Sequence, residues 1–107
     1  MSAAPYDYAH DNLSMALGLM AWSSATLRKR LLLAYQSYLF KLHERDFPPE
    51  LSQRYSALID AMSTMPARYP HEGTVQSTLE QTHPLKIKAM IKEISSIQYS
   101  LVHIRYN

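Results

Sequence analysis

Apolar positions recur along the chain at spacings of three and four, and the rhythm stops where prolines, a glycine or small polar residues intervene. The clearest stretch with charge on it is LRKRLLLAYQSYLFKL, from Leu27 to Leu42. There Leu27, Leu31, Ala34, Tyr35, Tyr38, Leu39 and Leu42 share one stripe of a helical wheel, and Lys29, Gln36, Ser37, Lys41 and Glu44 lie opposite. The spacing predicts an amphipathic helix. Leu33 and Phe40 break the scheme, falling together on the polar side beside Lys29, where one buried stripe leaves them uncovered. The preceding segment, Leu13 to Trp22, is apolar nearly all round, the pattern of a helix buried on several sides. Asp11 or Asn12 is its expected N-cap. Residues 1–10 read as a loosely ordered lead-in, with Tyr6 and Tyr8 positioned to pack back on the body.

Apolar spacing runs on almost unbroken from one segment into the next. A single rod over residues 12–45 would be about 50 Å long at 1.5 Å per residue, longer than its neighbours. A break near Trp22 to Ser24, with Ser23 or Ser24 capping a new helix, gives better-matched lengths. The second helix is expected to end near Arg45 to Phe47, before Pro48 and Pro49, and the third to begin at Pro49 and reach about Met65. Its stripe is Leu51, Tyr55, Leu58, Met62 and Met65. Between Ala67 and His83 the signals weaken: Pro70, His71, Glu72 and Gly73 make a turn, and Thr74 caps a short helix in which Val75 and Leu79 meet. Thr82 caps and Pro84 opens the last helix, whose stripe is Ile87, Met90, Ile91, Ile94, Ile97, Leu101, Val102 and Ile104. The expected fold is all-α: a small antiparallel bundle of three long helices plus the N-terminal helical segment and one short extra helix, forming a single domain over 1–107.

Composition agrees. Of 107 residues, 47% are hydrophobic and only two are glycine, which argues against disorder and against many short strands joined by turns. With no cysteine, disulfides, thiol catalysis and thiolate metal sites are excluded. The first residues carry acids where a secretion signal would place bases, and no 18-residue apolar run occurs, so the expected location is the cytoplasm with no membrane span. Net charge is only +2, yet no acid lies between Asp11 and Glu44, an interval holding Arg28, Lys29, Arg30 and Lys41. Nucleic acid, anionic lipid and an acidic protein are the partners such a distribution suits.

Chemistry-bearing patterns are sparse. Glu80 and His83 form an E-x-x-H, the pair that di-iron bundles use twice; it occurs once here, at a helix boundary, which favours capping over metal binding. His10, His43, His71, His83 and His103 are scattered, and a metal-dependent bundle enzyme would need three to converge, with His10, His43 and His83 the set an antiparallel bundle could bring to one end. No nucleophile motif or phosphate-cradling loop is present. Ala16 to Leu31 resembles a DNA-reading helix-turn-helix, with Arg28, Lys29 and Arg30 as candidate nucleic-acid contacts, but Ala21 and Trp22 are unusual for its turn. The sequence designates no catalytic, cofactor-binding or metal-ligating residue. Leu19, Trp22, Leu33 and Phe40 are left without a core, and a second protein surface, most simply another copy in a homodimer, is the expected cover. The leading reading is therefore a cytoplasmic protein that works through protein contacts.

Overall fold

The computed structural model describes residues 6–106 and contains, among them, five α-helices and no strand. They are α1 (Asp7–Trp22), α2 (Leu27–Ser37), α3 (Pro49–Ala61), α4 (Thr74–Glu80) and α5 (Pro84–Tyr106), with 3-10 turns at Leu39–Lys41 and Glu44–Asp46. Helix α5, 23 residues long, is the axis of the bundle, and α1, α2 and α3 all pack on it. Its buried stripe is Ile87, Met90, Ile94, Ile97 and Leu101. Gln98 reaches Ser14 and His10 of α1, while Arg54 of α3 donates to Glu93 at 2.8 and 3.1 Å and to Ser96 at 2.8 Å. Ala61 at the end of α3 lies by Ala89 and Met90, and the end of α1 leads through four residues into α2, whose first turn borders the start of α5, so both α1 and α3 run antiparallel to α5. Helix α2 starts beside the start of α5 and runs parallel to it. The Glu93 carboxylate raises the pKa of Arg54 above its ordinary value, chiefly through the hydrogen bond.

Several helix boundaries depart from the expected ones, each for a physical reason. Residues 1–5 lie outside those described, but residues 7–10 are no lead-in: α1 begins at Asp7, four residues before the expected cap, and Ala9 is fully buried. Neither Asp11 nor Asn12 caps, since Asn12 sits within the helix and donates to the Tyr8 carbonyl at 2.9 Å. An acid in the first turn suits the helix's positive end. Tyr6 packs against the core, whereas Tyr8 is half exposed. The break between α1 and α2 is present, with Ser23 extended. Thr26 rather than Ser23 or Ser24 caps α2, its hydroxyl accepting from the Lys29 amide at 3.3 Å.

Helix α2 stops at Ser37, well short of Arg45. The Tyr55 hydroxyl donates to the Leu39 carbonyl at 2.6 Å and the Leu42 amide donates to the same oxygen at 3.1 Å, which together hold the 3-10 turn that follows α2. Phe47 stacks on the same Tyr55 ring with centroids 4.5 Å apart, and the irregular stretch delivers Leu39, Leu42 and Phe47 to the core. Burial pushes the Tyr55 hydroxyl far above its ordinary pKa. Helix α3 likewise ends at Ala61 instead of Met65. The Met65 amide is drawn to the Thr78 hydroxyl at 2.8 Å, and Met65 itself is exposed.

Helix α4 follows the expected turn, in which His71, not Gly73, takes the left-handed backbone, with φ of 71°. Thr74 is the first helical residue and does not cap; the residue before it is Gly73. Nor does Thr82 cap α5. Its hydroxyl donates back to Thr78 at 2.6 Å, and the His83 ring accepts from the Leu85 amide at 3.1 Å instead. Capping is thus what the His83 of the E-x-x-H does.

Candidate functional site

Helix α1 buries one stripe only, Ala9, Leu13, Ala16 and Met20, so it is not enclosed on several sides as its composition predicted. Its other side forms, with α2 and the turn after it, an open groove of about 560 Å³ lined chiefly by Met15, Gly18, Leu19, Trp22, Leu33 and Tyr38. Three of the four residues expected to lack a core, Leu19, Trp22 and Leu33, therefore converge. Met15 is 54% exposed, and Trp22 is 90% exposed, so the indole stands clear of its own chain. Phe40 does not line the groove. Its predicted superposition on Leu33 assumed a helix that has ended by Ser37; Phe40 instead sits in a 3-10 turn, 52% exposed, its ring 5.9 Å from the Lys41 ammonium.

Gly18 is the residue whose part in the groove sequence reasoning missed. A glycine inside a helix costs about 1 kcal/mol against alanine. Here its own chain gives no reason for it, because a Cβ at that position would meet nothing within 4 Å. The signal that would have exposed it was present: a mid-helix glycine flanked by apolar residues on the face opposite Leu13 and Ala16.

The basic cluster of α2 is largely engaged within the fold. The Arg28 guanidinium donates to the carbonyl oxygens of Leu79 and Thr82, the latter at 2.6 Å, and so satisfies the open C-terminal end of α4. The side chain of Arg30 donates to Ala25 O at 2.6 Å. Lys29 alone of the three is exposed with no hydrogen bond from its side chain. In a helix-turn-helix the first turn of the second helix projects toward DNA; in this one Arg28 turns to the end of α4 and Arg30 to Ala25, leaving Leu27 and Lys29 exposed.

The histidines do not assemble. His10 lies by Gln98 in the C-terminal half of α5 and His83 immediately before Pro84, which places them near opposite ends of that helix, roughly 20 Å apart along its rise. The expectation that His10, His43 and His83 share one end fails on that separation. Among the described residues, no group of three His, Cys, Asp or Glu side chains is placed to hold a metal ion. Glu80 faces away from metal chemistry, accepting from Arg68 at 2.5 Å and Gln76 at 3.2 Å.

A buried polar strap under the Ala67–Gly73 corner was also invisible in the sequence. Glu72, its side chain fully buried, accepts from the Arg68 backbone amide and from both ends of the Arg68 guanidinium, while Ser77 donates to Pro66 O at 2.8 Å. Arg68 holds the Glu72 carboxyl down at about 2, against an ordinary 4.5. Above pH 4.5 that carboxylate is charged whether the chain is folded or not, and the native state keeps the full advantage. Between 4.5 and about 2 the unfolded chain gains a proton the folded chain refuses, so stability falls as pH drops. Glu72→Gln is expected to lower thermal stability at pH 7 and to flatten that acid slope. Melts followed by circular dichroism across the window test it, and an unchanged slope would refute it.

Among the described residues the α1–α2 groove is an open apolar surface on which three of the predicted interface residues meet. Compared with protein-family models, with curated proteins and with solved structures, the chain matched none of them.

Proposed function

We propose that this is a small cytoplasmic protein that acts through protein contacts, with the α1–α2 groove as its contact surface and a second copy of itself as the first occupant. The observation that carries the reading is Gly18. A helix interior gives up stability there for a side chain's worth of empty space in an apolar, open groove, and such space is useful to a surface that comes from outside. Self-association follows from the layout of the same face. Trp22 projects as a knob beside the hollow at Gly18, so a two-fold arrangement lets each copy's indole enter the other's groove. Aromatic side chains seated in apolar hollows are the usual anchors of such contacts.

Sedimentation equilibrium tests the reading, with a dimer expected at tens of micromolar. Gly18→Leu is the sharp variant, because the leucine fills the groove while the fold has room for it. The expected result is a monomer with undiminished helicity and equal or higher melting temperature. A wild-type monomer under the same conditions removes self-association, and a Gly18→Leu protein that still dimerises removes the groove as its site.

A further inference from the structure

A second surface, sharing no lining residue with the α1–α2 groove, lies where the first turns of α2 and α5 meet. Thr26, Leu27, Arg28, Pro84, Ile87 and Lys88 border a cleft of about 310 Å³. On the same elements Leu85 is 67% exposed and Leu27 39%, and Lys29, Lys88 and Lys92 are all exposed. Along α5, Leu85, Lys88, Ala89 and Lys92 stand at i, i+3, i+4 and i+7 and so share one solvent face. No acid occurs in residues 12–43 or 81–92, the two segments that border the cleft; the nearby end of α3, which packs by Lys86 on another side of α5, brings Asp60. Neither α2 nor α5 has an acid in its first turn. The acids that adjoin the second of these segments, Glu80 and Glu93, are taken up by Arg68 and Gln76 and by Arg54 respectively.

We propose that this end of the bundle binds the surface of an anionic lipid bilayer. The charge complementarity is one-sided: lysines on segments that carry no carboxylate of their own suit a plane of negative headgroups, and each such base near the surface strengthens binding about five-fold. The apolar component separates a bilayer from nucleic acid. Leu85 and Leu27 have nothing to contact on a phosphate backbone, whereas at a membrane they enter the headgroup boundary while the lysine stems extend over it. No helix among the described residues is long and apolar enough to cross a membrane, so the attachment is peripheral.

Flotation of the full chain with vesicles provides the test, using phosphatidylcholine alone and a phosphatidylcholine–phosphatidylserine mixture at low and moderate salt. Retention is expected on the mixed vesicles only, falling as salt rises. The double variant Lys88→Gln, Lys92→Gln is expected to bind about 25-fold more weakly. Leu85→Ser is expected to bind about tenfold more weakly while keeping the wild-type salt dependence. All three side chains are exposed, and unchanged circular-dichroism melts of these variants confirm that folding is intact. Absence of retention on mixed vesicles, equal retention of the lysine variant, or a Leu85→Ser protein that binds like wild type each overturns the proposal. So does binding to duplex DNA at low salt with none to the vesicles. The Gly18→Leu protein keeps this end of the bundle unaltered, so its retention on mixed vesicles separates the present proposal from the fate of the dimer.

Discussion

Ile94→Ala is expected to lower the stability of the folded chain by about 2–5 kcal/mol, the range for removing a buried aliphatic side chain and leaving its cavity. Ile94 is fully buried at the middle of α5, the helix on which α1, α2 and α3 all rest, so no single neighbour can move in to fill the space without losing its other contacts. A domain of this size has roughly 5–15 kcal/mol in total, and the melting temperature should fall by roughly 15 °C. Thermal unfolding by circular dichroism reads the effect directly. A shift of a degree or two would mean that the helices are free to close over the gap and that α5 is not the axis of the bundle. Ile91→Ala, one turn away at a partly exposed position, is the matched control and should cost less.

Arg28→Met is expected to be the most damaging change of a charged residue among the bases of α2. Methionine keeps the apolar stem but removes the two hydrogen bonds to Leu79 O and Thr82 O. Hydrogen bonds from a charged donor contribute about 1.5–3 kcal/mol each in net terms, and part of the lost pair is recovered from water because Arg28 is only half-buried, so a loss of about 2 kcal/mol is expected. Lys29→Met, with no hydrogen bond from its side chain, should fall within about 0.5 kcal/mol of wild type. Urea unfolding of the two variants makes the comparison. Equal stability would show that Arg28 is held only by solvent, and would return it to the set of bases available to an outside anion.

The contrast between these two bases shows where a wheel diagram runs out. Leu51, Tyr55 and Leu58 of α3 with Met62 just after it, and Ile87 through Leu101 of α5, were legible because a proline opens each run and the apolar spacing repeats without interruption. The turn that replaces the end of the expected helix was not legible, since a hydroxyl 16 positions away holds it through the Leu39 carbonyl. The same is true of Arg28, whose acceptors lie 51 and 54 residues on. Sequence pattern sees one face of one helix at a time; it has no access to a partner supplied by another element. For the candidate surface the outcome is mixed for a related reason. Leu19, Trp22 and Leu33 were visible as apolar residues outside any stripe, and they do meet. Phe40 was grouped with them by an angle that holds only while the helix continues. Gly18 was marked only by being a glycine inside an apolar helical run, and Glu72 by nothing, since its burial depends on Arg68.

The exposure of Trp22 has a spectroscopic corollary. As the chain's one tryptophan, it dominates the intrinsic emission, and in the folded monomer its ring is already bathed in water. Unfolding leaves that environment nearly as it was, so fluorescence is a poor gauge of whether this protein is folded. It is correspondingly a clean gauge of company: a shift of the emission to shorter wavelength reports that something has closed over the indole.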